Sequence, residues 1–203
     1  DVDDDTLSVS ARMLTENRDK AVDLLRGALT DPHFDQASVD RVRGQVLSII
    51  ASDAQDPNAI AGLTFRKLAY GDHPYGSSLN GTADSVKALT REDMFDAKAR
   101  VMAKDRLVVS AVGDITPAEL GPILDRLLGG LPDTGAEMPP RAKLLLTGGV
   151  TVVPFDTPQS VVTFGEAGLS MEDPDFFAAY VLNQILGAGG FSSRLMDELR
   201  EKR

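Results

Sequence analysis

The 203-residue chain contains no cysteine, which excludes disulfides and thiolate metal sites. Cysteine-free chains occur in the cytosol and in the bacterial periplasm alike, so this absence selects no compartment. Histidine is scarce, with one in "DPHFD" (His33) and one in "DHPYG" (His73). Neither has a His or Glu partner at helical spacing, as a zinc protease helix would need. Each therefore reads as a loop residue. Basic residues are outnumbered, with 21 Lys and Arg against 31 Asp and Glu and a net charge of -10. Such a balance argues against nucleic acid and against anionic membrane surfaces. No apolar run approaches the roughly 18 residues of a membrane span. The nucleophile elbow G-x-S-x-G is missing, so no Ser/His/Asp set can be argued.

What is present is an ordinary globular composition, 42% hydrophobic and 26% charged, enough for one domain or two small ones. "TLSVSARML" (Thr6–Leu14) is rich in β-formers and reads as a strand. "ENRDKAVDLLRGALTDP" reads as a helix ending before Pro32. "DQASVDRVRGQVLSIIASDAQ" sets Val39, Val42, Val46, Ile49 and Ile50 at steps of three and four, which predicts one apolar helix face. "DPNAIAGLTFRKLAYGD" is a third helix closed by Gly71. Two later helix starts carry capping boxes, Thr90 with Asp93 and Thr116 with Glu119, the second with Pro117 at the first helical position. Between them "DRLVVSAVGDI" predicts a buried strand. The Pro- and Gly-rich run from Leu131 to Lys143 reads as a linker. After it come strands "VTVVPFD" and "QSVVTFGEAG", a helix from about Asp175, a Gly-rich turn, and a last helix with Phe191, Leu195 and Leu199 at steps of four. The expected fold class is α+β, a mixed sheet packed by helices.

Two stretches invite a site reading on composition alone. Asp1, Asp3 and Asp5 are spaced as in a calcium loop, but that loop needs Gly at its sixth position and Glu at its twelfth. Thr6 and Arg12 stand there, which leaves a solvated acidic segment. "GAGGF" precedes a helix, as anion-binding loops do. It lacks the Lys-Ser/Thr of a P-loop and the spacing of a dinucleotide fingerprint. A tight turn with close backbone approach accounts for it better.

Four motifs together resemble the pitrilysin/insulinase family of zinc peptidases, which includes the mitochondrial processing peptidases: "GDHPYG", "LTREDMFDAKARVM", "RLVVSAVGDITPAEL" and "VLNQILGAGGFSSRLMDELREKR". The resemblance runs from about Pro32 to the last residue. It implies tandem α+β repeats that close over an extended peptide, with an H-x-x-E-H zinc motif in the first repeat and a third ligand, a Glu, on a later helix. It further implies an Arg and a Tyr, from a stretch of the second repeat resembling "LREK", that hold substrate near the metal. On this reading residues 1–130 are the C-terminal part of one repeat. Residues 131–147 are the linker, and 148–203 open the next repeat. The chain is then expected to begin and end within domains, with H-x-x-E-H upstream of Asp1. Arg200 takes the substrate-holding position. As an ordinary helix residue it would instead pair with Asp197 or Glu201.

The sequence departs from the family in one helix. Aligned with the family's "E-R-E-R-x-V-V-L-x-E-I", "DRVRGQVLSII" places Val42 at a supporting Glu and Ile49 at the ligand Glu. Seven positions are two helical turns, so the two share a face. Neither side chain has a lone pair to offer zinc, and residues 35–51 contain no Glu. The resemblance with this departure implies a non-catalytic, substrate-binding or structural chain. The chain itself holds no cofactor, and Zn belongs to the family. The implied partners are an extended peptide and a zinc-bearing homologous subunit, or an upstream half of the same protein. The alternative is part of an active zinc metalloendopeptidase whose H-x-x-E-H lies upstream. A purely structural homologue is the third option. Similarity to exported bacterial members suggests the periplasm.

Overall fold

The computed structural model describes residues 1–202, and the chain divides into two compact units, Asp1–Thr163 and Phe164–Arg203. In the first unit lie α1 (Arg18–Thr30), α2 (Gln36–Asp53), α3 (Pro57–Tyr70), α4 (Ala83–Ala88), α5 (Arg91–Val101) and α6 (Pro117–Leu128). The capping boxes form as the sequence predicts. The Thr90 hydroxyl oxygen accepts from the Asp93 amide while the Asp93 carboxylate accepts from the Thr90 amide at 2.6 Å. Thr116 and Glu119 reciprocate in the same way at α6. Gly71 ends α3 at a positive φ of 57°. The sequence reading passed over α4, whose start carries a third box between Thr82 and Ser85.

Helix α1 packs on α6. Arg126 of α6 reaches Asp19 at 3.2 Å and Asp23 at 3.6 Å, and Arg18 reaches Glu119 at 3.6 Å. Helix α2 contacts α3 and α4. Arg43 of α2 donates to Asp40 and to the Leu89 carbonyl beyond α4. The turn between α1 and α2 holds Phe34 at φ 45°, a left-handed conformation that a bulky residue adopts only under constraint. The constraint is visible: Arg91 donates to the carbonyls of His33 and Phe34, and Phe34 sets its ring edge-on to Phe95 at 5.0 Å. Val22, Ala69, Val86, Ala103 and Leu131 form the buried apolar core.

Residues 131–147, read from sequence as a linker, return along the first unit. The amides of Lys104 and Asp105 donate to the carbonyls of Pro132 and Asp133, and Ala136 donates to the Arg100 carbonyl. Arg106 reaches the Ala136 carbonyl at 2.8 Å. Further on, Leu145 donates to the Ala69 carbonyl at the end of α3.

The four segments expected as strands form no ladder among the described residues. These are Thr6–Leu14, Asp105–Ile115, Val150–Asp156 and Gln159–Gly168. The sole β pairing there is an isolated antiparallel bridge between Val2 and Leu7. A strand exists through its neighbour's hydrogen bonds, and alternation of side chains specifies only which face it would bury. Here that face lacks cover: Val108 is 93% exposed, Val112 102% and Val150 90%. The described elements are helical, and the helices alone of the expected α+β layers are in place.

In the second unit Asp175 precedes α7 (Phe176–Asn183), which continues into a π-helical turn, Gln184–Ala188. A 3-10 turn, Gly190–Ser192, leads to α8 (Arg194–Met196), which runs into a second π turn, Asp197–Glu201.

Candidate functional site

The Gly-rich stretch is a folded turn whose glycines each meet a definite demand. The first π turn closes when the Gly189 amide donates to the Gln184 carbonyl at 3.0 Å. A Cβ on Gly189 would lie 2.6 Å from that same oxygen. Gly190 sits at φ +64°, a conformation costly for side chains with a Cβ. Ser193 then donates its amide to the Gly190 carbonyl at 3.1 Å, and its hydroxyl oxygen accepts from the Met196 amide at 3.4 Å. Ser193 is buried, at 1% exposure. The turn thus delivers the chain into α8 from a fixed direction, and the tight-turn reading of "GAGGF" describes it.

Arg200 lies in the second π turn and is exposed. Its guanidinium carbon stands 5.3 Å from the centre of the Phe191 ring, within cation–π range. Of the two carboxylates open to it on a plain helix, Asp197 is engaged elsewhere, and Glu201 forms no ion pair with it among the described residues. Lys202 holds Asp197 and Glu198, each at 2.7 Å. The hydrogen bond to Asp197, and then that to Glu198, raises the Lys202 pKa above its ordinary value. Among the described residues no ion pair engages Arg200. The sequence spacing presents Phe191 only as one of an apolar row on the last helix. It lies before that helix, in the turn, and the sequence distance between Phe191 and Arg200 gave no sign of their meeting.

On α2 the predicted apolar row divides. Val39, Val46 and Ile50 are half-buried, while Val42 and Ile49 are exposed. The two positions that the resemblance aligns with family glutamates therefore stand exposed and apolar, with Asp53 one turn beyond Ile49 at the end of the helix. Arg43, beside them in sequence, turns toward Asp40 and Leu89.

Both histidines have structural surroundings. The His33 carbonyl accepts from Arg91, and its ring is exposed. His73 opens the 3-10 turn Pro74–Gly76, its Nδ1 accepting from the Tyr75 amide at 3.2 Å. That contact fixes the proton on Nε2, which donates to the Pro140 carbonyl at 2.9 Å. Next to it opens a cleft of about 420 Å³ lined by Asp4, Asp5, His73, Tyr75, Pro140 and Arg141 among others. Its acids face protein donors. Asp4 pairs with Arg66, and Asp5 accepts from the Tyr75 hydroxyl, a hydrogen bond that raises the tyrosine's pKa. Asp3 accepts from the amides of Asp5 and Thr6 and from the Thr6 hydroxyl, which lower its pKa, the hydroxyl most. The acidic run is thus satisfied by protein donors, Asp3 within its own turn and Asp4 and Asp5 by Arg66 and Tyr75. Among the described residues no three His, Cys, Asp or Glu side chains gather as a metal site. These donors do not fit the zinc that the resemblance brings with it. No helix among the described residues is long and apolar enough to cross a membrane.

Comparison with known proteins agrees with the motif reading. Residues 88–203 match the family model described as peptidase M16 inactive domain. A non-peptidase homologue from Helicobacter pylori is 28% identical over 98% of this chain and 46% of its own length. An uncharacterised zinc protease of Streptomyces coelicolor is 31% identical over 95% of this chain and 43% of its own. The mitochondrial-processing peptidase subunit beta of Saccharomyces cerevisiae is 25% identical over 87% of this chain and 39% of its own. The crystal structure of a peptidase M16 inactive domain from Pseudomonas fluorescens superposes with a TM-score of 0.74 at 27% identity, over 93% of this chain and 46% of that one. The chain spans less than half the length of these relatives.

Proposed function

Because the chain belongs to the peptidase M16 family, we propose that it serves the non-catalytic side of a zinc-dependent peptidase, binding extended peptide substrate beside a zinc-bearing homologous partner. The observation that carries this reading is the α2 face, where exposed Val42 and Ile49 occupy the positions at which the resemblance calls for Glu. A helix that served zinc would present oxygen there. Arg200 is the substrate-holding residue in this reading. Its planar fork donates to peptide carbonyls. The C-terminal unit supports the role by leaving the fork without a carboxylate among the described residues.

The same reading retains the mixed sheet. The segments 105–115, 150–156 and 159–168 supply strands whose ladder partners lie outside the described residues, which accounts for their bare apolar faces. The domain boundaries at 130/131 and 147/148 are kept on the same ground. The cell compartment of the reading is the bacterial periplasm, which fractionation of the host would test.

The experiment is peptide hydrolysis by the protein expressed from its complete reading frame, alone and with the sister chain that co-purifies. Turnover is expected only for the pair. Arg200→Ala is expected to lower kcat/KM of the pair by roughly 10- to 150-fold, the cost of one charged hydrogen bond. Zinc-dependent turnover by residues 1–203 alone would overturn the reading.

One second reading has an observation behind it. The Streptomyces coelicolor relative is named a zinc protease. If this chain belongs to an active enzyme, H-x-x-E-H is supplied outside these residues and another group replaces the Glu at position 49. Single-chain, zinc-dependent turnover of the complete protein would favour that reading. Unchanged activity of the pair on Arg200→Ala would point to a purely structural role.

A further inference from the structure

We infer that Phe191 is a positioning residue for Arg200: the aromatic face of the Gly-rich turn holds the guanidinium ready for peptide, and an aromatic ring is required there. The inference rests on the substrate-holding reading of Arg200 and adds a residue to it. Three observations converge on it.

The first is the contact itself, with the guanidinium carbon over the ring at 5.3 Å. The second is what surrounds it. Lys202 engages both Asp197 and Glu198, so these two carboxylates serve the lysine. An arginine locked to a carboxylate spends its N–H donors on that partner. One held by the ring quadrupole is attracted electrostatically without an oxygen acceptor. The arrangement keeps Arg200 localised while its fork has no carboxylate among the described residues to displace. The third is the exposure of the ring. Phe191 is 76% exposed, so its ring face is open for the guanidinium to lie on. The backbone that presents it is tightly specified by Gly189, Gly190 and the buried Ser193. A specified turn ending in an exposed ring makes sense when the ring has something to hold.

The alternative is incidental contact between two exposed side chains. The two differ in chemistry. A positioning ring is replaceable by Tyr and not by Leu, since Leu offers bulk without a quadrupole. An incidental neighbour is replaceable by either.

The test uses the protein expressed from its complete reading frame, together with any co-purifying partner. The probe is a fluorescein-labelled extended peptide of Arg, Ser, Leu and Ala, followed by anisotropy. Phe191→Leu is expected to weaken binding about two- to fivefold, the worth of an exposed cation–π contact, and Phe191→Tyr to restore it. In the Arg200→Ala background Phe191→Leu should add nothing, the signature of one coupled unit. Ring-current shifts of the Arg200 side-chain protons, read by NMR, should vanish in Phe191→Leu and persist in Phe191→Tyr. If Arg200→Ala weakens binding while Phe191→Leu matches the wild type, the positioning role is overturned and the Arg200 reading stands. If Arg200→Ala leaves binding unchanged, the Arg200 reading fails and carries this inference with it, whatever the ring currents show.

Discussion

Replacing Gly189 with alanine should damage the Gly-rich turn more than replacing Gly190, although only Gly190 has a positive φ. A Cβ at position 189 would sit 2.6 Å from the Gln184 carbonyl oxygen. That oxygen belongs to the backbone and accepts the hydrogen bond that closes the first π turn, so neither atom can swing aside. Relief requires opening the turn, an overpacking cost of about 1–3 kcal/mol. At position 190 the added Cβ meets nothing within 4 Å. Only the left-handed φ is penalised, by about 1 kcal/mol. Gly168 offers a control in the same unit, since a Cβ there meets nothing within 4 Å and no positive φ is at stake. The assay is native-state hydrogen exchange of the Gly189 and Ser193 amides, both donors inside the turn. Gly189→Ala should lower protection by roughly five- to 150-fold and Gly190→Ala by about fivefold. Gly168→Ala should leave it unchanged. Equal protection in Gly189→Ala and the Gly168 control would refute the close-approach argument. Rescue of Gly189→Ala by millimolar phosphate would show that the turn is an anion site after all.

Three further outcomes follow from the geometry. Ser193→Ala removes a buried cap and should cost α8 about 1 kcal/mol, seen as faster exchange of the Met196 amide. Arg126→Ala removes two of the three ion pairs between α6 and α1, yet the pairs are solvent-exposed, and urea denaturation should show a loss below about 1 kcal/mol. Asp56, Asp93 and Glu119 cap helices, and hydrogen bonds from backbone amides, largest among the causes, hold each below its ordinary pKa. A depressed folded pKa contributes stability that is complete above the ordinary carboxylate value, about 4, and is lost as pH falls through the depressed one. Thermal melts should therefore stay level above that range and fall below it, and Glu119→Gln should remove the share due to Glu119, whereas Thr116→Ala, which keeps the amide and loses only the hydroxyl donor, should reduce it in part.

The sequence was most legible where structure is local. The boxes at Thr90 and Thr116 form between residues three apart, so the sequence contains both partners. Helix α2 and the Gly71 stop were readable for the same reason. The box at Thr82 was just as local and was missed because α4 is a short helix without an apolar period. The expected strands lack ladders for a different reason. The apolar run in "DRLVVSAVGDI" is real, but a ladder needs another segment, and none among the described residues supplies it. The apolar row of α2 was legible as a period. Which members stand exposed depends on α3 and α4, and so Val42 and Ile49 could be separated from Val39 and Val46 only with the fold in hand. Arg200 was singled out through the family motif. The ring beneath it was hidden because a turn, and no helical period, brings Phe191 to it.

The central claim is that this chain serves a peptidase without holding its metal. It is tested most directly by the zinc content of the protein expressed from its complete reading frame and purified without affinity tags or chelators. The account predicts no stoichiometric zinc in this protein and a zinc-bearing sister chain that co-purifies with it. One zinc per chain, with peptide hydrolysis by that chain alone, would contradict it and return position 49 to the enzyme's active half.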